Sequence, residues 1–236
     1  MKIKPVYLLA GGRSGNRRAP DPLIQAAFRE SGVPSPTVAY VGVANGDDKK
    51  FFNRIADAFG QAGAGRIRHA LICAENADLN ETQNILKSAD IVFISGGDVE
   101  RGMLVLEEKN MTGFLNQLHS EGKPFFGLSA GSIMLAKEWI RWRDPDDDST
   151  AELFPCLGFA PIICDTHGEQ DDWEELKVAL KLEEDNVRGY GIASGTAIKV
   201  FPDGKIEPLG GAIHQYVRRG QRVERSPDIA PYGGYS

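Results

Sequence analysis

PFFGLSAGSIMLA, residues 124–136, sets an apolar run, the turn Gly127-Leu128-Ser129-Ala130-Gly131 and a second apolar run side by side. The first run favours a strand and the second opens a helix, expected over 131–141. A Ser between two glycines at such a junction fits G-x-S-x-G, the sharp turn that exposes a nucleophile. The chemistry needs that shape. The side chain must project from a tight bend, and glycines on either side leave room for the adjoining strand and helix. The helix start then aims backbone N–H groups and the positive end of its dipole at the site. The pattern alone is weak, and a structural turn is the alternative; the strand–turn–helix setting favours catalysis.

The same alternation continues on both sides of this segment. PVYLLAGG (5–12), TVAYVGVAN (37–45), RIRHALIC (66–73) and DIVFISGG (90–97) read as strands. Most are almost continuously apolar, as strands buried on both faces should be. Helix patterns fall at 21–31, 47–62, 80–88 and 102–121. Regular β-then-α order predicts an α/β fold, a doubly wound and mostly parallel sheet with helices on both faces. A sixth run, PIICDTHG (161–168), precedes a helix pattern at 171–184. From Tyr190 to Gly220, short alternating runs separated by PDGK and LGG predict an antiparallel C-terminal extension, with a hairpin turn at Asp203-Gly204. One domain is expected over 1–219, followed by an exposed tail over 220–236 with few core residues. The charge run DPDDD (144–148) reads as a solvated loop.

Bulk properties narrow the function classes. Hydrophobic residues make up 42% of the 236 and charged ones 25%, as in ordinary globular proteins. A net charge of -6 gives no electrostatic support to a nucleic-acid partner. Every apolar run is too short to span a bilayer, so no membrane role is expected. The three cysteines form no C-x-x-C pair and read as reduced thiols, which predicts a cytoplasmic setting. A homodimer is the base-rate expectation.

A Ser nucleophile needs donors for the oxyanion and a base. Ala130 N–H, just after the nucleophile, is one candidate donor. FISGGD (93–98) offers the second at Gly97, after a buried strand. Of the histidines at 69, 119, 167 and 214, His167 is best placed as base, because it ends the sixth strand on the edge where Ser129 emerges. The others fall within strand or helix patterns and read as structural. No second well-spaced His or Cys accompanies the nearby carboxylates, so no metal is expected.

FISGGD, GLSAGS, DTH and GYGIASGTAI, taken together over roughly residues 5–215, resemble the peptidase family that contains aspartyl dipeptidase (peptidase E) and cyanophycinase. The resemblance implies a fold similar to class I glutamine amidotransferases and hydrolysis of a small peptide by a Ser-His-Glu triad without a cofactor. It assigns Ser129 as nucleophile, His167 as base, and Gly97 and Ala130 as oxyanion donors. Ser in place of the amidotransferase Cys speaks against glutaminase chemistry.

One position departs from that family. Before the Gly/Thr/Ala stretch its members usually carry an acid, commonly Glu, where this chain has Ser194. A hydroxyl can orient the imidazole but lacks the full charge that stabilises imidazolium. Losing the acid of a comparable triad costs a factor of about 3 × 10⁴ in rate, or about 6 kcal/mol. Another acid therefore serves His167, or catalysis is weak, or the protein has become a binding relative that holds a ligand or partner in the same cleft. Asp165 is the preferred substitute, since on an extended strand it would share a face with His167; Glu169, Asp144 and Glu138 are further candidates. Asp98 after the GG turn and the acidic GEQDDWEE (168–175) would repel an aspartyl side chain, which predicts a neutral or basic substrate. Trp139, Trp142 and Trp173 are candidates for a pocket rim or for packing.

Overall fold

The computed structural model describes residues 2–12, 19–144 and 146–231. Five of the expected strands form β1 (Val6–Leu9), β2 (Thr37–Val41), β3 (Arg66–Ala70), β4 (Ile91–Ile94) and β5 (Phe125–Leu128). They pair in parallel in the order β1-β5-β4-β2-β3. Their near-continuous apolar character has a direct cause. Val92 and Ile94 of β4 enter one core, while Ile91 and Phe93 enter the core on the opposite face. In the second core Phe28, Phe59, Phe93 and Phe126 interlock, with edge-to-face pairs at centroid distances of 4.8 to 5.8 Å.

The connecting helices are α1 (Pro22–Arg29), α2 (Lys49–Ala62), α3 (Leu79–Ser88), α4 (Val99–Glu108), α5 (Met111–Ser120) and α6 (Ala130–Leu135). Asp21, Asp48, Asp78 and Asp98 start the first four of these by accepting hydrogen bonds from Leu23, Phe51, Glu81 and Arg101 N–H groups. Each such cap is worth about 1 kcal/mol. The single helix expected over 102–121 is broken by Asn110, which takes a left-handed conformation between α4 and α5.

The helix expected over 131–141 is shorter than its pattern. It stops at Leu135, Ala136 turns extended, and the chain continues as β6 (Glu138–Trp142), which forms an antiparallel hairpin with β7 (Ala151–Pro155). Trp139 and Ile140, adjacent in sequence, are both buried in this hairpin. The aromatic and β-branched residues suit a pleated surface better than a helix end.

The sixth run becomes β8 (Ile163–Thr166), which belongs to a second sheet. After α7 (Glu174–Leu182), β9 (Arg188–Ile192) pairs with β8 in parallel. β10 (Ala197–Val200) and β11 (Ile206–Leu209) return to the central sheet, antiparallel beside β1, and Gly204 takes φ 81° in their turn. β12 (Ile213–Arg219) and β13 (Arg222–Ile229) complete the second sheet, in the order β13-β12-β9-β8. The segment expected as a tail thus contributes a largely exposed strand, and residues 232–236 of it lie outside the described residues. The two sheets bring the loops after β1, β4, β5, β8 and β9 together at one edge.

Candidate active site

Ser129 sits between β5 and α6 with φ 52° and ψ -124°, a conformation that a non-glycine residue adopts only under strain. The surroundings hold it there. Ser129 N–H donates to Leu9 O at 2.8 Å, and the Ser132 hydroxyl donates to the same carbonyl at 2.8 Å. A Cβ on Gly127 would collide with the Gly131 carbonyl, and one on Gly131 would collide with the Ile94 carbonyl. The two glycines of the motif are therefore steric requirements of this bend.

Gly97 supports the bend from the neighbouring strand end. Its φ is 149°, and a Cβ there would overlap the Ala44 carbonyl. Among the described residues, neither Gly97 N–H nor Ala130 N–H has an acceptor within the chain. Two unengaged donors beside a strained Ser are the elements of an oxyanion hole.

His167 follows the last residue of β8 and has φ 67°. Its Nδ1 lies 2.9 Å from the Ser194 hydroxyl in the turn after β9. Ser194 N–H in turn donates to Glu169 Oε1. Desolvation raises the Glu169 carboxyl, but N–H groups from Ser194 and its own backbone, the Ser194 hydroxyl and nearby His167 outweigh it. They hold Glu169 below the usual carboxylate range. A full negative charge thus stands one residue behind the imidazole. Ser194 packs against the Gly12 backbone, and Gly195 N–H donates to Gly11 O, which fixes this turn to the loop after β1. Among the described residues no hydrogen bond joins Ser129 to His167.

Asp165, expected to support His167, does not contact it by hydrogen bond. Its Oδ1 accepts from Thr166 N–H at 2.5 Å, and the side chain lines the cleft in front of Ser129. The cause is the positive φ at His167, which ends the strand alternation that would have put both side chains on one face. Burial pushes the Asp165 carboxyl up to about 7; Thr166 N–H opposes this, and Glu175, Asp171 and Glu169 add to it. Such a group is a poor partner for an imidazolium. Asp98, expected at the substrate, lines the same cleft but spends one oxygen capping α4.

The cleft encloses about 510 Å³. Ser129, Ala130 and Gly97 line it together with Asp165, Thr166 and Glu175. The β6–β7 hairpin roofs it with Trp139, Ile140 and Trp142. Arg141 joins this roof to α4 through Glu100 at 3.0 Å and to β7 through Glu152 at 2.7 Å. Trp173, by contrast, is buried beneath Gly168 and Gly191 and does not reach the cleft. Glu138 is occupied by Lys137 at 2.5 Å, away from His167. His69 stacks on Phe52, His119 stacks on Phe159, and His214 pairs with Asp228, in keeping with structural roles. Glu175 belongs to the acidic stretch 168–175 expected near the substrate, whereas Arg141 was missed; its only signal was a charge alternating with tryptophans.

The described residues contain no group of three His, Cys, Asp or Glu side chains arranged to hold a metal ion. No described helix is long and apolar enough to cross a membrane.

Comparison with known proteins agrees with this architecture. A model of Peptidase family S51 matches residues 6–207. A peptidase from an acI-B1 Actinobacterium superposes with a TM-score of 0.69 at 17% identity, over 97% of both chains. A putative peptidase E protein from Listeria monocytogenes EGD-e gives a TM-score of 0.60 at 14% identity, over 95% of this chain and 98% of that one. At these identities the two structures speak for the fold alone. The pyridoxal 5'-phosphate synthase subunit PdxT of Anoxybacillus flavithermus (strain DSM 21510 / WK1) is 27% identical over 148 residues, 61% of this chain and 72% of that protein.

Proposed function

The chain belongs to peptidase family S51, and from that membership we propose a serine hydrolase that cleaves a peptide or amide bond of a small peptide through an acyl-enzyme. The observation that carries this reading is the strained Ser129 beside two unengaged N–H donors, with a charge-backed imidazole on the same edge of the fold.

Each group has a step. Ser129 Oγ attacks the scissile carbonyl, and His167 Nε2 takes its proton. The developing oxyanion is held by Gly97 and Ala130 N–H, a role supported by their lack of an acceptor among the described residues. His167 Nδ1–H donates to Ser194, which keeps Nε2 free to act as base and then as acid toward the leaving amine. Glu169 holds Ser194 in place and offsets the imidazolium charge from one residue further away. Water then releases the acyl group. The free-state separation of Ser129 and His167 closes when substrate orders the site, as catalytic hydrogen bonds often tighten on binding.

A second reading, a catalytically impaired relative that binds a ligand or partner in this cleft, draws on the missing Ser129–His167 bond and on the exposure of His167, Ser194 and Glu169. A fluorophosphonate probe separates the two. Labelling that disappears in Ser129→Ala and drops sharply in His167→Ala supports the hydrolase. Absence of labelling anywhere between about pH 6 and 9 turns the choice to the binding protein.

A further inference from the structure

Gly97 N–H lines the cleft without an acceptor among the described residues, and its direction is set by the peptide group it shares with Gly96. A trans peptide is planar and points its C=O and its N–H in opposite directions. Whatever grips Gly96 O therefore aims Gly97 N–H. Asn45 grips it. The Asn45 Nδ2 donates to Gly96 O at 2.9 Å, with the Ser95 hydroxyl at 3.0 Å and the Tyr40 hydroxyl at 3.1 Å as further acceptors.

Asn45 ends the short 3₁₀ turn Val43–Asn45 that follows β2. Asp48 N–H donates to its Oδ1 at 3.1 Å, which pins the side-chain amide with its NH2 toward Gly96. The preceding residue secures the other flank of Gly97, because Ala44 O accepts from Asp98 N–H at 2.9 Å. The loop has its own anchor in Asp47, whose φ is 58° and whose carboxylate accepts from Ile72 and Cys73 N–H at 2.7 and 2.8 Å. A Cβ on Gly96 would stand 3.3 Å from Ser129 Cβ, so the peptide held in this way lies against the nucleophile. A donor on the carbonyl also polarises the peptide, which makes its N–H the stronger donor to a developing oxyanion.

We propose that Asn45 is a positioning residue for the reaction, fixing the Gly96–Gly97 peptide so that Gly97 N–H faces the cleft as an oxyanion donor. This rests on the hydrolase reading for what the N–H does, but not for where it points.

Two measurements on the full chain test it, one with chemistry and one without. Phosphonylation of Ser129 by a fluorophosphonate places a phosphoryl oxygen where a peptide oxyanion would develop. Outright loss of an oxyanion donor costs about 100-fold or more, so Asn45→Ala is expected to lower the maximal labelling rate about 30-fold. The half-saturating probe concentration should stay within about twofold, since the donor acts on the transition state. Asn45→Asp keeps the shape but has no NH2, and should lose at least as much. Tyr40→Phe removes a hydroxyl from the same cluster, spares the Gly96 contact, and should label like the wild type. Without any probe, the Gly97 cross-peak in a proton–nitrogen correlation spectrum should move or broaden in both Asn45 variants and hold still in Tyr40→Phe. Thermal unfolding checks each variant, and either Asn45 substitution serves if the other fails to fold. Wild-type labelling by the Asn45 variants, equal losses in Asn45→Ala and Tyr40→Phe, or an unmoved Gly97 cross-peak overturns the role. A wild type that does not label, with the cross-peak displaced in the Asn45 variants, removes the hydrolase reading and leaves the positioning of Gly97 standing.

Discussion

The Ser194 hydroxyl stands 2.9 Å from His167 Nδ1 without carrying a charge, and the charge behind it belongs to Glu169. Since Glu169 acts on the imidazole through Ser194, the two should behave as one unit. Ser194→Ala is expected to lower kcat about 30-fold and Glu169→Gln about tenfold, with KM little changed. The double variant should be no slower than Ser194→Ala alone, which steady-state kinetics on a peptide substrate can measure. Multiplying losses would mean that the two residues act independently. The residue types of this site were legible in the sequence, because the Gly-Leu-Ser-Ala-Gly turn is dictated by local sterics. Ser194 beside His167 was legible from the family resemblance; which carboxylate stands behind it was not. Strand alternation pointed to Asp165, and the left-handed conformation at His167 redirected the ring toward a turn that lies 27 positions away in the chain.

The β6–β7 hairpin is the element that makes the edge of the sheet into a cleft. It is tied to α4 across the opening by the Arg141–Glu100 pair, and Arg141 also lies over the Phe154 ring at 4.7 Å. Exposed ion pairs contribute only about 0–1 kcal/mol, so this contact governs the roof's position more than the stability of the fold. Arg141→Ala should raise KM about fivefold or more and shift the melting temperature by less than about 4 °C. Peptide kinetics and a thermal melt on the same preparation check both halves. A large melting shift with unchanged KM would show the hairpin to be structural only. This element was hidden in the sequence. Residues 131–141 carry an apolar pattern that suits either a helix or a helix followed by a strand, and only the complementary strand β7 selects the second.

For the whole molecule, Asp165 couples the cleft to stability. Its carboxyl rises from 3.8 to about 7 on folding, so the folded state binds its proton more tightly than the unfolded chain. The stability it contributes is present below about pH 4 and is lost as pH climbs to about 7. Asp165→Asn removes that loss. The variant should melt close to the wild type near pH 4 and increasingly above it toward pH 8, by at most about 4 kcal/mol in unfolding free energy. Carboxylates held low in the fold, such as Asp47 and Asp228, act the same way in both proteins and drop out of the difference. Calorimetry over this range provides the check; a gap that is flat or narrows with rising pH contradicts the assignment.

The amino-acid order by itself determined the doubly wound sheet, the bend at Ser129 and the glycines that permit it. Each of these follows from period, turn sterics and burial within a few consecutive residues, which any local reading captures. The second sheet, the hairpin roof, the strand formed by Arg222–Ile229 and the placing of Glu169 behind Ser194 were decided only in three dimensions. They depend on which distant segments find complementary edges and space, and no short stretch of chain encodes that choice.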